Sequence, residues 1–200
     1  LHRTNYTKKY SVQFVQQNGI EYKPFYFFNR YDKDTIAQTW QVERSSFDLL
    51  LVNKALSYGA KIFYNTLVTE LIHKDNIVVG VKCIDINTQK TKTIYAKWVV
   101  DASGRSALAS KRYNWQKKDP ILTNKMAIWS YYKGCIRPEG IDSGATVIAF
   151  LQDKGWFWYI PLADNITSIG VVAENKYLTR GGVTDVQEIY KRELESNLWI

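Results

Sequence analysis

The run Gly155-Trp156-Phe157-Trp158-Tyr159-Ile160-Pro161-Leu162 limits most tightly what this chain can fold into. Read at period two, Trp156, Trp158 and Ile160 fall on one side of a strand and Phe157 and Tyr159 on the other. Pro161 has no N–H to give to a ladder, so the strand is expected to end there or to lie at an edge. Both faces need cover. One of them is wide, flat and aromatic enough to wall a pocket for a planar ring, although the same residues would also serve as ordinary core aromatics.

Two hundred residues suffice for one domain with a sizeable core, or a core plus a smaller layer. A charged fraction of 23% fits a soluble globular chain. No stretch approaches the ~18 apolar residues of a membrane span, and the residues at Leu1 do not look like a signal peptide, with no basic start followed by an apolar run. It starts at Leu1 among polar residues and stops at Leu198-Trp199-Ile200 just past a helical pattern, so it reads as an internal part of a longer protein. The net charge is +8, but Lys8-Lys9, Lys111-Arg112 and Lys117-Lys118 are short and scattered. They suit solvated faces better than a nucleic-acid surface, and leave room for an anionic ligand such as a dinucleotide or a halide. Cys83 and Cys135 stand apart, and only His2 and His73 could join them, so no metal site is expected. This suits a reducing, cytoplasmic setting.

Along the chain, Ser11 to Val15 and Pro24 to Phe28 read as short strands around an Asn18-Gly19 turn, with Lys8 and Lys9 in a loop before them. Ser45 or Ser46 is placed to cap a helix carrying Phe47, Leu50, Leu51 and Tyr58, with Gly59 at its end and a short strand Lys61 to Tyr64 after it. Arg44 stands at the mouth of that helix, where an anion is favoured. Val68 to Ile72, Ile77 to Ile84 and Thr91 to Val100 predict a three-stranded antiparallel meander. The last strand runs into Asp101-Ala102-Ser103-Gly104, a tight turn of small residues that a ligand can approach, followed by a helix-like 107–110. The polar stretch Asn114 to Lys125 is the expected crossover between a region 1–113 and a region 114–200. Beyond it, Met126 to Tyr132, Ala145 to Leu151, Trp156 to Ile160 and Ser168 to Val172 predict an aromatic antiparallel sheet. Asp185 and its neighbours then open a helix with the stripe Val186, Ile189, Tyr190 and Leu194.

Three signals stand in one order: Gln41-Val42-Glu43-Arg44-Ser45-Ser46-Phe47-Asp48 with Gly59-Ala60, then Asp101-Ala102-Ser103-Gly104-Arg105, then the double-Trp strand. Together they resemble the glutathione-reductase-type FAD-binding superfamily of aromatic hydroxylases. Trp156-x-Trp158-x-Ile160-Pro161 is similar to the Trp-x-Trp-x-Ile-Pro motif of flavin-dependent halogenases, and Leu162-Ala163-Asp164 and Ser168 to Val172 resemble their phenol- and pyrrole-halogenating branch. The resemblance implies an α/β (α+β) fold: part of an FAD-binding domain with its meander over 1–113, lacking the N-terminal Gly-x-Gly-x-x-Gly unit, and a partial substrate-side antiparallel sheet with its following helix over 114–200. Without that glycine turn, the chain as given is expected to bind FAD weakly or not at all.

The resemblance also implies roles. Arg44 would lie near the flavin or its diphosphate, the backbone around Val68 would meet the adenine, and Asp101, Ala102, Ser103 and Gly104 would close over the cofactor. Trp156 and Trp158, with Ile160 and Pro161, would shield the isoalloxazine from organic substrate. Tyr6-Thr7-Lys8-Lys9-Tyr10-Ser11-Val12-Gln13-Phe14 matches the phrase around the family's essential lysine in spacing, which favours Lys9 over Lys8, although Ser11 and Val12 replace a smaller pair. The implied activity uses reduced FAD from a separate reductase, oxygen and chloride or bromide. It halogenates an electron-rich aromatic, free or carrier-bound, through hypohalous acid and the lysine. The alternatives are an FAD-dependent monooxygenase, a flavin reductase of isoprenoids, or a truncated non-catalytic flavoprotein.

Overall fold

The structure, a computed structural model, describes residues 5–29, 38–117, 119, 124–151 and 155–200. In chain order these form β1 (Thr7–Lys9), β2 (Ser11–Val15), β3 (Phe25–Tyr26), β4 (Thr39–Gln41), α1 (Arg44–Ser57), β5 (Thr66–Lys74), β6 (Ile77–Asp85) and β7 (Thr91–Tyr95). There follow α2 (Leu108–Arg112), β8 (Lys125–Lys133), β9 (Thr146–Leu151), β10 (Gly155–Pro161), β11 (Ile166–Glu174), α3 (Asn175–Leu178) and α4 (Val186–Ser196). The chain divides into two units: the described parts of 1–51 with 120–200, and 52–119.

The first unit is built on a six-stranded sheet of order β3-β2-β9-β10-β11-β8. β10 lies inside it, antiparallel to β9 and β11, with Trp158 opposite both Ile148 and Gly170. The four strands expected after residue 125 all form, and β10 stops at Pro161, where the missing N–H ends the ladder. Asp164 and Asn165, both in the left-handed region, turn the chain into β11. β2 joins the same sheet parallel to β9, with Phe14 opposite Ile148. Residues 11–26 therefore belong with 124–200, which differs from a division at 113/114. A parallel pairing between segments so far apart leaves no local sequence pattern. Of the expected crossover Asn114 to Lys125, residues 118 and 120–123 lie outside the described residues.

Alternation divides the sheet into a covered and an open face. Val15, Val147, Ala149, Phe157, Tyr159, Ile169 and Val171 form the core, capped by Leu178 of α3 and Ile189 and Tyr190 of α4. Tyr190 donates its hydroxyl proton to the Ile169 carbonyl at 2.8 Å. Asp185 caps α4 by accepting from the Glu188 N–H at 2.8 Å, as its sequence predicts. The helix stripe differs from expectation, however: Val186 is exposed and Glu193 is wholly buried. Glu193 is charge-paired with Arg180 at 2.6 Å and Arg192 at 2.9 Å.

β1 and β4 form a separate antiparallel ribbon, so Lys9 lies on a strand, opposite Thr39, and not in a loop. α1 begins one or two residues before the expected caps. The Glu43 carboxylate, rather than Ser45 or Ser46, accepts the first free N–H groups, those of Ser45 at 3.2 Å and Ser46 at 2.9 Å. At the other end Ala60 N–H reaches the Ala55 carbonyl and Gly59 N–H reaches that of Leu56, the paired closure that a glycine at φ +85° permits.

In the second unit β5, β6 and β7 make the expected meander. Asp75 and Asn76 take the positive φ of its first turn. Two expectations fail here. Residues 61–64 form no strand, and Phe63 and Tyr64 are exposed. The third strand stops at Tyr95 rather than Val100, and Trp98 and Val100 are 87% and 85% exposed. Among the described residues β7 pairs only with β6; their register ends at Gly80↔Tyr95, and beyond the Ala96 N–H bond to the Val79 carbonyl residues 97–100 join no strand.

Candidate functional site

The open face of the first unit is a field of rings. Phe14 of β2, Phe150 of β9 and Trp129 and Tyr131 of β8 are exposed, and Trp156 and Trp158 of β10 are half-buried among them. Phe14 and Phe150 stack at 6.0 Å, and Trp129 and Trp158 lie 6.3 Å apart. Trp158 donates its indole N–H to Ser168 Oγ at 3.2 Å. Its ring lies flat across β11 because Gly170 is there. A Cβ at that position would come within 2.2 Å of Trp158 Cζ2 and 2.6 Å of Trp129 Cβ. Phe157 and Tyr159 face the core instead, so the even-numbered side chains of β10 form the accessible aromatic wall that the strand pattern predicts.

Lys9 and Lys8 separate clearly. Lys8 is exposed; Lys9 is half-buried, with Nζ 5.7 Å from the centre of the Phe27 ring. Burial lowers the Lys9 pKa below the ordinary lysine value, which enlarges the neutral, nucleophilic fraction of its amine. The ribbon that carries Lys9 is anchored by Gln41. Its amide donates to the Gly144 carbonyl at 3.1 Å and to Thr146 Oγ1 at 2.7 Å. By alternation Thr146 shares a face with Ile148 and Phe150, so the ribbon attaches on the side of the sheet that bears the indoles. Lys9 itself takes Phe27 as its ring contact, and Trp156 takes Lys125, whose Nζ lies 5.0 Å away.

A cleft of about 650 Å³ opens beside this face. Tyr6 and Tyr131 line it together with the start of α1, through Glu43 and Ser46, and with Leu162 to Asp164 just beyond the Ile160-Pro161 step. Tyr6 and Ser46 share a hydroxyl hydrogen bond at 3.0 Å, and Asn5 donates to Asp164 at 3.0 Å. Its polar lining is acidic or neutral. Hydrogen bonds, chiefly from the Ser45 side chain, hold the Glu43 carboxyl below its usual range. Arg44 is exposed, and its guanidinium forks onto Asp48 at 3.0 Å on both arms.

In the second unit the Asp101 turn is closed on itself. Asp101 accepts from the N–H groups of Ser103 at 2.9 Å and Ala109 at 2.7 Å, and Ser103 Oγ accepts from that of Leu108 at 3.1 Å. Gly104 sits at φ +58° with open space where a side chain would go, so backbone conformation rather than crowding favours glycine there. Val68 lies half-buried on β5 opposite Cys83, next to a bulge. Sequence reading quoted Gln41 and Gly170 within motifs without giving them a role, and did not single out Lys125 or Asp142. Only their cross-strand or long-range partners give them meaning, and no spacing in the chain records those. Among the described residues no cluster of His, Cys, Asp or Glu could hold a metal ion, and no helix is long and apolar enough to cross a membrane.

The family model for tryptophan halogenases matches residues 2–195. The 1H-pyrrole-2-carbonyl-(peptidyl-carrier protein) chlorinase of Pseudomonas fluorescens is 35% identical over 153 residues, which is 73% of this chain and 33% of that protein. Flavin-dependent halogenase armH4 of Armillaria mellea is 32% identical over 171 residues, 82% of this chain and 32% of that one. Among solved structures, the flavin-dependent halogenase CmlS matches with a TM-score of 0.78 at 26% identity, over 96% of this chain and 34% of that one. The chain thus spans about a third of the length of the curated relatives it matches.

Proposed function

The chain belongs to the tryptophan halogenase family, and from that premise we propose that its natural protein is an FAD-dependent halogenase acting on an electron-rich aromatic substrate. Reduced FAD, when bound, would supply the activation of oxygen that turns chloride or bromide into hypohalous acid. This chain's residues would then separate that small oxidant from the cofactor and direct it. Trp156 and Trp158, backed by Ile160 and Pro161, form the wall that keeps substrate from the flavin ring. Lys9 holds the oxidant beside the substrate through its amine. The observation that carries this reading is the alternation on β10, which leaves Trp156 and Trp158 accessible on an aromatic face while Phe157 is wholly buried.

The donors present fit the ring end of FAD and not its diphosphate. At the start of α1 the Glu43 carboxylate already takes the N–H groups that would otherwise meet a phosphate, and its charge opposes one. The tyrosines and hydroxyls of the adjoining cleft suit a flat, neutral, donor-rich ring system. Arg44, with solvent-facing N–H groups left over, is the residue here that would meet cofactor charge. Val68 would offer backbone to the adenine, and Asp101, Ala102, Ser103 and Gly104 would form a preset turn beside the cofactor. A separate reductase would supply the reduced flavin, and the setting is cytoplasmic. Two relatives are named for pyrrole-2-carbonyl groups on a peptidyl carrier protein, so a carrier-bound aromatic acyl group belongs among the substrates to be tried.

The test is halogenated product formed by the natural protein with reduced FAD, oxygen and bromide. Lys9→Met should abolish that product and leave flavin oxidation running, while Lys8→Met should keep most of it. Undiminished product from Lys9→Met, or product formed without halide, would sink the proposal.

A further inference from the structure

The grip on Lys9 comes from a carboxylate far away in sequence. After β1 the chain passes through Tyr10 into β2 and returns as β3, with Ser11 opposite Tyr26. The ring under the Lys9 amine is Phe27, the residue after Tyr26, and its N–H donates to the Tyr10 carbonyl at 3.0 Å. Asp142, in the 3-10 turn Gly140–Gly144, holds both ends of this loop. Ser11 donates its hydroxyl proton to Asp142 Oδ1 at 2.7 Å, and Tyr26 donates its own to Oδ2 at 2.6 Å. Ser11 is wholly buried, so its hydroxyl has no water to turn to.

The same turn presses on β1 from its other end. A Cβ at Gly144 would lie 1.8 Å from the Lys8 carbonyl oxygen and 2.9 Å from Thr7 Cγ2, so only glycine allows this approach. Gln41 of the partner strand fixes the Gly144 carbonyl. The turn 140–144 therefore touches the lysine's strand through Gly144 and, through Asp142, the strands that lead to its ring contact.

We propose that Asp142 is the positioning residue for Lys9: by clamping Ser11 and Tyr26 with its two carboxylate oxygens, it fixes the amine over the Phe27 ring. Its importance for catalysis rests on the reading of Lys9 as the halogenating lysine; the clamp itself does not. Asp142 touches neither substrate nor cofactor and acts only through its two hydroxyl partners.

The test is the acetylation rate of Lys9, read peptide by peptide by mass spectrometry with exposed Lys8 as the internal reference. The variants are Asp142→Ala, and Tyr26→Phe with Ser11→Ala, which empties the clamp without changing any charge near Lys9. Thermal melts confirm that each variant folds. In both variants the Lys9 rate should rise toward that of Lys8. In the natural protein, halogenation per flavin oxidised should fall, by up to the ~100-fold that an ångström of misplacement costs. A Lys9 rate unchanged in the charge-neutral double variant overturns the proposal. If that rate rises while Lys9→Met still halogenates, the clamp stands and the catalytic reading of Lys9 falls.

Discussion

At the scale of single residues, small side chains decide what the aromatic face can be. Gly170 lets the Trp158 indole lie across β11, and there is no free volume above it. Gly170→Ala should push that indole off its bed and destabilise the fold by about 1–3 kcal/mol through overpacking. Urea denaturation gives the stability and tryptophan fluorescence the displacement; an unchanged emission spectrum would mean that the ring tolerates the methyl group. The tryptophans' facing was legible in sequence, because alternation along one strand is a local rule. Gly170 was not legible, since its neighbour in space lies on another strand, and the same is true of Ser11. Its departure from the smaller residue expected there becomes intelligible once Asp142 is seen to accept its proton.

At the scale of elements, two helices were foreseen in position but not in detail. For α1 the serines looked like caps, yet Glu43 reaches back over the first turn and takes both N–H groups. Its pKa is lowered, so the cap's contribution is present above the ordinary glutamate value of 4.5 and is lost as pH falls through the lower folded-state value. The Ser45 and Ser46 amide protons should therefore shift together in an NMR titration with a midpoint below 4.5. A midpoint at or above that value would show the carboxylate to be unengaged. For α4 the apolar stripe pointed to Val186, whereas the packed position is Glu193, tied to two arginines. A glutamate in a helix looks like surface until its partners are known. Glu193→Ala would leave two guanidinium groups without their shared acceptor, and a loss of about 3 kcal/mol is expected by urea denaturation. The failed strand at 61–64 has the opposite cause: apolar β-branched and aromatic residues satisfy a local pattern, but a strand exists only where another strand pairs with it.

At the scale of the whole chain, the two units differ in how much they bury. Among the described residues the six-stranded unit holds nearly all the buried apolar side chains, whereas 52–119 contribute only Leu71 and Cys83. The backbone amides of the meander should consequently exchange with solvent much faster than those of β9, β10 and β11. Hydrogen exchange followed by mass spectrometry checks this, and equal protection in both units would contradict it. The 200-residue chain should also lose FAD on gel filtration, since Glu43 occupies the anion-ready start of α1. Stoichiometric retention would show that other residues hold the cofactor. The Trp129–Trp158 pair has one more consequence. Two indoles 6.3 Å apart with their planes tilted by 41° couple through their strong far-ultraviolet transition, so they should give a two-signed band in far-ultraviolet circular dichroism. Any ring that settles on that face would disturb the coupling, and the protein thereby carries its own optical reporter of occupancy.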